Sequence, residues 1–327
     1  VSDNAADLTG LVKDLAKNFG GSAEDRLPEV WSQITKLGLV TIGIDEDLGG
    51  SGGELGDLVV VIRELARAGL NTPMVECSTA AYVLGGPSRP DAVDTVVVVD
   101  DSSASDLGLV PFARPGGRVV VIGPTDVRVA NLSADAAKID ATTDIAGMPA
   151  GHVRLMATQT ELCSTPRDAV VERLALARAT ALLGCAFGAY DLTRTHTIQR
   201  EQFGAPLITL PAVSSALAQM TVQLEQARAA LDHAVALAAD TEASAVRRGA
   251  AVATARIVCA STATAVARGA HQLHGALGVT LEYPLHRYST ALWAWRDADM
   301  SELAWSQRFG AAARTSGEDV LWDELTV

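Results

Sequence analysis

Between Leu8 and about Leu84 the apolar residues recur mostly at helical spacing, as in LTGLVKDLAKNF (8–19) and ELGDLVVVIRELARAGL (54–70), which predicts an N-terminal helical domain over residues 1–84. Within it LGLVTIGIDEDLGGSGG (37–53) reads as an extended apolar piece followed by a glycine-rich turn. From Val93 the period changes. Short β-branched runs, TVVVVD (95–100), RVVVIG (118–123), VRVANL (127–132) and HVRLMA (152–157), are separated by Gly, Pro and Asp, and predict a reduced β middle domain over 85–166. From Arg167 to the C-terminus (167–327) the pattern is helical again and rich in alanine. Val213, Leu217, Met220, Leu224, Ala227 and Leu231 repeat in steps of four and three after Pro211, laying one apolar stripe along a long helix that needs a partner. The next helix, GAAVATARIVCASTATAVARGAHQLHG (249–275), is lined with side chains small enough for close approach of backbones. The expected fold is mainly α: an N-terminal helical domain, a small β module, and a C-terminal antiparallel helical bundle partly buried against another subunit.

Composition narrows the partners. A formal charge of −13 over 327 residues, with no basic stripe beyond the isolated pair at 247–248, argues against nucleic acid. The cysteines at 77, 163, 185 and 259 lack any C-x-x-C spacing, which suits buried thiols in a reducing compartment better than a disulfide framework or a zinc site. VSDNAADLTG at the start carries acidic residues and no apolar core of a secretory signal, and a charge-free helical stretch such as ATALLGCAFGAY (179–190) is too short to span a bilayer. The expectation is a cytoplasmic protein with no membrane partner.

Three segments offer chemistry. The glycines of 37–53 lack the G-x-x-x-x-G-K-[ST] pattern and a preceding buried strand, so a structural turn is the better reading than a phosphate loop. QREQFGAPLITLP (199–211) places an arginine, an aromatic, a glycine and a proline at the end of a helical run; locally this is a helix stop, with Arg200 at the negative end of the dipole. HQLHGALGVTLEYPLHRYS (271–289) ends a helix at Gly275 and Gly278 and sets His271 and His274 on one face at i, i+3. With no carboxylate or cysteine at matching spacing, the two histidines do not read as a metal site.

The order of the three regions, together with four motifs, resembles the acyl-CoA dehydrogenase family. Residues 37–73 resemble its N-terminal Pro-Glu, Gly-Gly turn and following helix, with Ile44, Asp45 and Glu46 where Pro-Glu is usual. RTHTIQREQFGAPL (194–207) resembles its R-x-x-F-G-x-P-L segment, ALAQM (216–220) its Leu-Ala-Asp-Met, and QLHGALGVTLEYP (272–284) its Q-x-x-G-G-x-G-Y segment. The resemblance implies an FAD cofactor shared across a subunit interface, with Arg200, Gln202, Phe203, Gln272, Gly275 and Gly278 contacting the adenosine diphosphate half. The chemistry suits it. Arg200 can pair with pyrophosphate, Phe203 can pack on adenine, and a glycine-rich helix end can present N–H groups to an anion.

Two family features are not found. Between Gly85 and Arg167 there is neither a Glu-x-x-x-Gly-Ser-Asp segment nor a Lys-x-x-Ile-(Thr/Ser) strand to cradle the flavin ring. The family's glutamate base falls, by ungapped counting, at Asp299 or near Leu174, two residues from Glu172; both carboxylates read better as solvated surface groups than as a base, and no catalytic residue is assigned. The resemblance therefore implies the smaller, catalytically degenerate subunit of a heteromeric acyl-CoA dehydrogenase, like the α2β2 enzymes of actinobacterial steroid side-chain degradation. Its partners would be a full-length homologue supplying the glutamate, an acyl-CoA substrate, and an electron-transfer acceptor. The alternative is a non-enzymatic assembly or acyl-CoA-binding protein on the same scaffold, for which Arg200, Phe203 and Gln272 would have no use.

Overall fold

The computed structural model describes residues 4–19, 26–86, 93–156, 160–317 and 319. Four helices come first: α1 (Ala5–Phe19), α2 (Leu27–Lys36), α3 (Leu55–Arg67) and α4 (Met74–Leu84). Seven strands follow: β1 (Thr95–Val98), β2 (Asp106–Pro111), β3 (Arg118–Ile122), β4 (Val127–Asn131), β5 (Ala137–Thr143), β6 (Pro149–Leu155) and β7 (Thr160–Leu162). Then come α5 (Arg167–Gln199), a two-residue hairpin β8 (Glu201–Gln202) and β9 (Ala205–Pro206), α6 (Pro211–Ala239), α7 (Ala245–His274), α8 (Leu285–Arg296) and α9 (Glu302–Ser316). The chain forms two compact units: residues 1–62 with 71–177, and residues 63–70 with 178–327. The N-terminal helices and the β module share the first.

In the first unit the strands make two sheets. One has the order β1-β3-β4-β7, with β1 and β3 parallel, and the other is the antiparallel β2-β6-β5. Val119 and Val121 face a core shared with Leu107, Val110 and Val153 of the second sheet. Because side chains alternate along a strand, Val120 and Ile122 point the other way, and they are equally buried. α4 covers that face, with Cys77 Sγ donating to the Asp94 carbonyl at 3.0 Å. This explains why RVVVI is an unbroken apolar run. β2 and β5 escape the sequence pattern: β2 carries a bulge between Asp106 and Gly108, and β5 is an edge strand with four consecutive exposed residues.

The 37–53 segment is not extended. It curls through two 3₁₀ turns, Leu39–Thr41 and Glu46–Leu48, closed by the bridge Ile44↔Gly52. Gly38, Gly43, Gly49, Gly52 and Gly53 all have positive φ, which supplies the curvature. The amides of Gly43, Gly49, Gly50, Ser51 and Gly52 all donate to carbonyls within the segment, so they are not turned toward a phosphate.

In the second unit the apolar stripe of α6 is buried from Leu217 to Leu237 and rests on α7. The five residues 240–244 join the two helices, which makes the pair antiparallel. Gly269 of α7 leaves room for Met220, whose Sδ would stand 3.0 Å from a Cβ there, and Thr262 Oγ1 donates to the Gln223 carbonyl at 3.3 Å. Gly184 and Gly188 of α5 do the same for the end of α3: a Cβ at either would collide with the carbonyl of Arg63 or Arg67. The helical stretch 245–279 is long and apolar enough to cross a membrane by length and composition, its most apolar 18-residue window having a mean hydropathy of 1.5, although 67% of that window is buried inside the protein as in a core helix. No stretch of that length is expected from the sequence alone.

Leu224 is 1% exposed at the centre of the α6–α7 contact. Leu224→Ala is expected to lower unfolding free energy by about 2–5 kcal/mol in urea titration, since the small side chains of α7 cannot fill the cavity.

Candidate functional site

Helix α5 ends at Gln199, and Arg200 opens the β8–β9 hairpin. The Arg200 N–H donates to the His196 carbonyl at 2.8 Å, and the Arg200 carbonyl accepts from the Leu207 N–H at 2.8 Å. The hairpin pairs Glu201 with Pro206 and Gln202 with Ala205, so Phe203 and Gly204 form its two-residue turn. Both have positive φ, 55° and 82°. Such turns normally take Asn-Gly or Asp-Gly, because a bulky side chain in the left-handed region costs roughly 1–2 kcal/mol. Here the strained residue is a phenylalanine with its ring 90% exposed. A strained, solvated aromatic gains nothing for the fold, so it points to a ligand or partner. Arg200 and Gln202 are exposed beside it.

At the end of α7, Gln272 is exposed, and Gly275 has φ 58° with open space where a Cβ would be. The Gly275 N–H donates to the His271 carbonyl, and this helix end is the C-terminal, carbonyl end. The Gly275 N–H is therefore used within the helix end. Gly278 is buried, and a Cβ there would lie 2.8 Å from His274 Cβ and 3.1 Å from Leu285 Cδ2. Its role is close packing under the 3₁₀ turn Gly275–Val279. Val279, which ends that turn, and Leu281 beyond it are 73% and 80% exposed.

Seventy-odd residues separate the two segments in sequence, and one contact brings them together. The ring of His196, on the last turn of α5, stacks on that of His274, on the last turn of α7, at 4.4 Å between centroids, and Tyr283 lies tilted against His274 at 4.9 Å. The hairpin and the Gly275–Leu281 stretch thus leave neighbouring helix ends. Sequence reasoning assigned neither His196 nor Tyr283. The available signal was that His196 precedes Arg200 by four residues, one helical turn, inside the same motif. His274 uses both nitrogens, Nδ1 toward the Ala270 carbonyl at 2.8 Å and Nε2 toward the Tyr283 hydroxyl at 3.2 Å.

The two carboxylates weighed as a base are differently placed. Asp299, at the left-handed φ of 68°, is held by Arg178: Nε donates to Oδ2 at 2.8 Å and Nη2 approaches Oδ1 at 3.4 Å. The Arg178 side chain is 1% exposed and that of Asp299 11%, so the solvated-surface reading of Asp299 is also corrected. Arg256, on α7 and buried beside them, donates Nη2 to the carbonyls of Trp295, Arg296, Ala298 and Met300 at the negative end of α8. Burial pulls its guanidinium down to about 10, against the favourable charge of Asp299. Asp299 is the carboxylate of a buried two-arginine cluster. Glu172 lies half-buried on the second turn of α5, between buried Val171 and Arg173.

Two family models match this chain in the order its elements run. Residues 12–109 match the acyl-CoA dehydrogenase N-terminal domain and residues 168–298 the acyl-CoA dehydrogenase C-terminal domain. The chain belongs to the acyl-CoA dehydrogenase family. It is similar to acyl-CoA dehydrogenase IpdE2 of Mycobacterium tuberculosis, 29% identical over 77% of this chain and 76% of the relative. It is also similar to acyl-CoA dehydrogenase FadE34 of the same organism, 27% identical over 87% of this chain but 42% of that longer relative. Its fold is shared with the Tcur3481-Tcur3483 steroid ACAD (TM-score 0.83, 23% identity, 96% of this chain and 98% of that one). It is also shared with the ChsE4-ChsE5 complex from Mycobacterium tuberculosis (TM-score 0.80, 20% identity, 97% and 98%).

Two outcomes check these placements. Asp299→Asn leaves two buried guanidinium groups without their carboxylate and is expected to cost about 3–5 kcal/mol in chemical denaturation; an unchanged midpoint would return Asp299 to the list of candidate bases. Phe203→Asn relieves the left-handed strain and is expected to raise stability by up to about 1 kcal/mol, read from the same titration.

Proposed function

We propose that this chain is the smaller, catalytically degenerate subunit of a heteromeric FAD-dependent acyl-CoA dehydrogenase. Its hairpin tip and the end of α7 reach the adenosine diphosphate half of an FAD held mainly by a full-length homologous partner. The observation that carries the reading is Phe203, strained and solvated beside Arg200, next to the Gly275–Leu281 stretch. The residues present fit that half of the cofactor: an exposed guanidinium for the pyrophosphate, an exposed aromatic face for adenine, and the exposed amide of Gln272 for a directional hydrogen bond. Bound FAD would supply the hydride acceptor for the acyl β carbon, the α proton going to a base.

This chain's own residues bind and orient. The base falls to the partner, because Asp299 is occupied by Arg178 and is not free to meet an acyl α carbon. The substrate proposed is an acyl-CoA of the steroid side-chain class, supported by the Tcur3481-Tcur3483 steroid ACAD whose fold the chain shares; the similar acyl-CoA dehydrogenases of Mycobacterium tuberculosis support an acyl-CoA. The assembly proposed is α2β2, with an electron-transfer acceptor outside it. The two-protein complexes that share the fold support a heteromer.

The test is flavin retention by the assembled complex. Arg200→Ala removes one charge-assisted contact, worth about 1.5–3 kcal/mol, so FAD affinity is expected to fall by roughly ten- to a hundredfold with assembly intact. Arg200→Lys should recover only part of it, since a point charge cannot reproduce the guanidinium fork. Unchanged FAD content and affinity after gel filtration would reduce Arg200 to a helix-end charge and overturn the proposal.

A further inference from the structure

The hairpin and the Gly275–Leu281 stretch are largely exposed, the second packed at buried Gly278 on His274 and Leu285. Where their helix ends meet stands a pair of imidazoles. The His196 and His274 rings lie nearly parallel, 21° apart at 4.4 Å, with Tyr283 edge-on to His196 at 6.0 Å. The hydrogen bonds define one protonation state for this arrangement. The Ala270 carbonyl can only accept, so His274 Nδ1 carries a hydrogen, and Nε2 is left to accept from the Tyr283 hydroxyl. A second proton would sit on Nε2 against the hydroxyl hydrogen, and the hydroxyl would have to turn away.

We propose that His196 and His274 are the positioning residues of this site, and that their stack clamps the 200–206 hairpin to the 275–281 stretch only while both rings are neutral. The inference rests on the functional reading above for what the clamp serves, although the clamp itself is a property of this chain alone.

The surroundings support the neutral form. The charged and titratable groups that bear on the two rings are Arg200, one turn further along α5, His271, one turn back along α7, each other, and Tyr283 beyond the 3₁₀ turn. None of these stabilises an imidazolium. Burial holds His196 below the ordinary imidazole value of 6.5, and the Arg200 guanidinium pushes the same way. Burial also holds His274 below it; the Ala270 carbonyl opposes this, and His196 and His271 reinforce it. His271 is lowered by burial as well. Groups so lowered take up protons more readily in the open form than in the closed one. The clamp is therefore at full strength above about pH 6.5 and is lost as the pH falls below it.

Hydrogen exchange of the full chain tests the clamp without any flavin. The Leu207 and Thr280 amides donate to the Arg200 and Leu277 carbonyls within the two segments, the Arg200 amide donates to the His196 carbonyl at the end of α5, and all three report their opening. Their protection factors are expected to hold between pH 8 and 7 and then to fall, by about tenfold per pH unit for each proton taken up on opening, while amides in the middle of α6 stay protected. Constant protection down to pH 5 would overturn the proposal. His196→Phe keeps a ring on His274 but removes one titrating group, so protection at pH 7.5 should be kept and the pH dependence reduced. An undiminished pH dependence would also overturn it. Should that variant not fold, proton NMR of the wild-type histidines decides: both should titrate below 6.5, and a value at or above 6.5 for either contradicts the clamp. Because no readout uses FAD, failure here leaves the cofactor reading standing, and failure of the Arg200→Ala test leaves the clamp standing.

Discussion

The close packing of α7 is the constraint on which the second unit depends. Along this helix the buried positions are mostly alanine, with Thr262, Cys259 and the valines 252 and 266 among them, and Gly269 stands where Met220 presses in. Small side chains let α6, α8 and α9 share α7 as a common partner. Close approach brings little side-chain volume per residue, so specificity has to come from the few large groups α7 does bury. Those are Arg256 and His274. Arg256 gathers the carbonyls that end α8 and neighbours the Arg178–Asp299 pair; His274 gathers the end of α5. One helix thereby sets both the turn that carries Asp299 and the junction that carries Arg200 and Phe203.

The two buried polar features have opposite chemistry. The arginine cluster is charged, and it persists because a carboxylate and a row of carbonyls surround guanidinium groups that would otherwise be costly to bury. The histidine junction is uncharged, and its neighbours are cations or neutral donors, so it stays intact only without extra protons. A catalytic carboxylate needs a free lone pair and a path to substrate. In the cluster around Asp299 both carboxylate oxygens face the Arg178 guanidinium.

Strain at the hairpin tip belongs to the same economy of roles. A two-residue turn with both φ values positive is made most cheaply by small residues, yet this one carries Phe203 with its ring in water. Stability would favour asparagine. The less stable choice stands beside an exposed arginine.

By itself the sequence determined the order of helical region, β module and helical region, because the spacing of apolar residues changes from 3.6 to 2 and back. It also determined the α6 stripe and the small-residue face of α7, and the two motifs at Arg200 and Gln272, which are contiguous stretches. Only the tertiary structure decided the rest. The 37–53 segment folds into 3₁₀ turns because glycine φ angles, invisible in a hydropathy pattern, curl it. β2 and β5 were hidden by a bulge and by an edge strand's exposure, both of which break alternation. Asp299 became a buried counter-ion through Arg178, more than a hundred residues away. His196, His274 and Tyr283 became one junction because two long helices happen to end together. Each of these depends on contacts between residues far apart in the chain, whose partners no local pattern encodes.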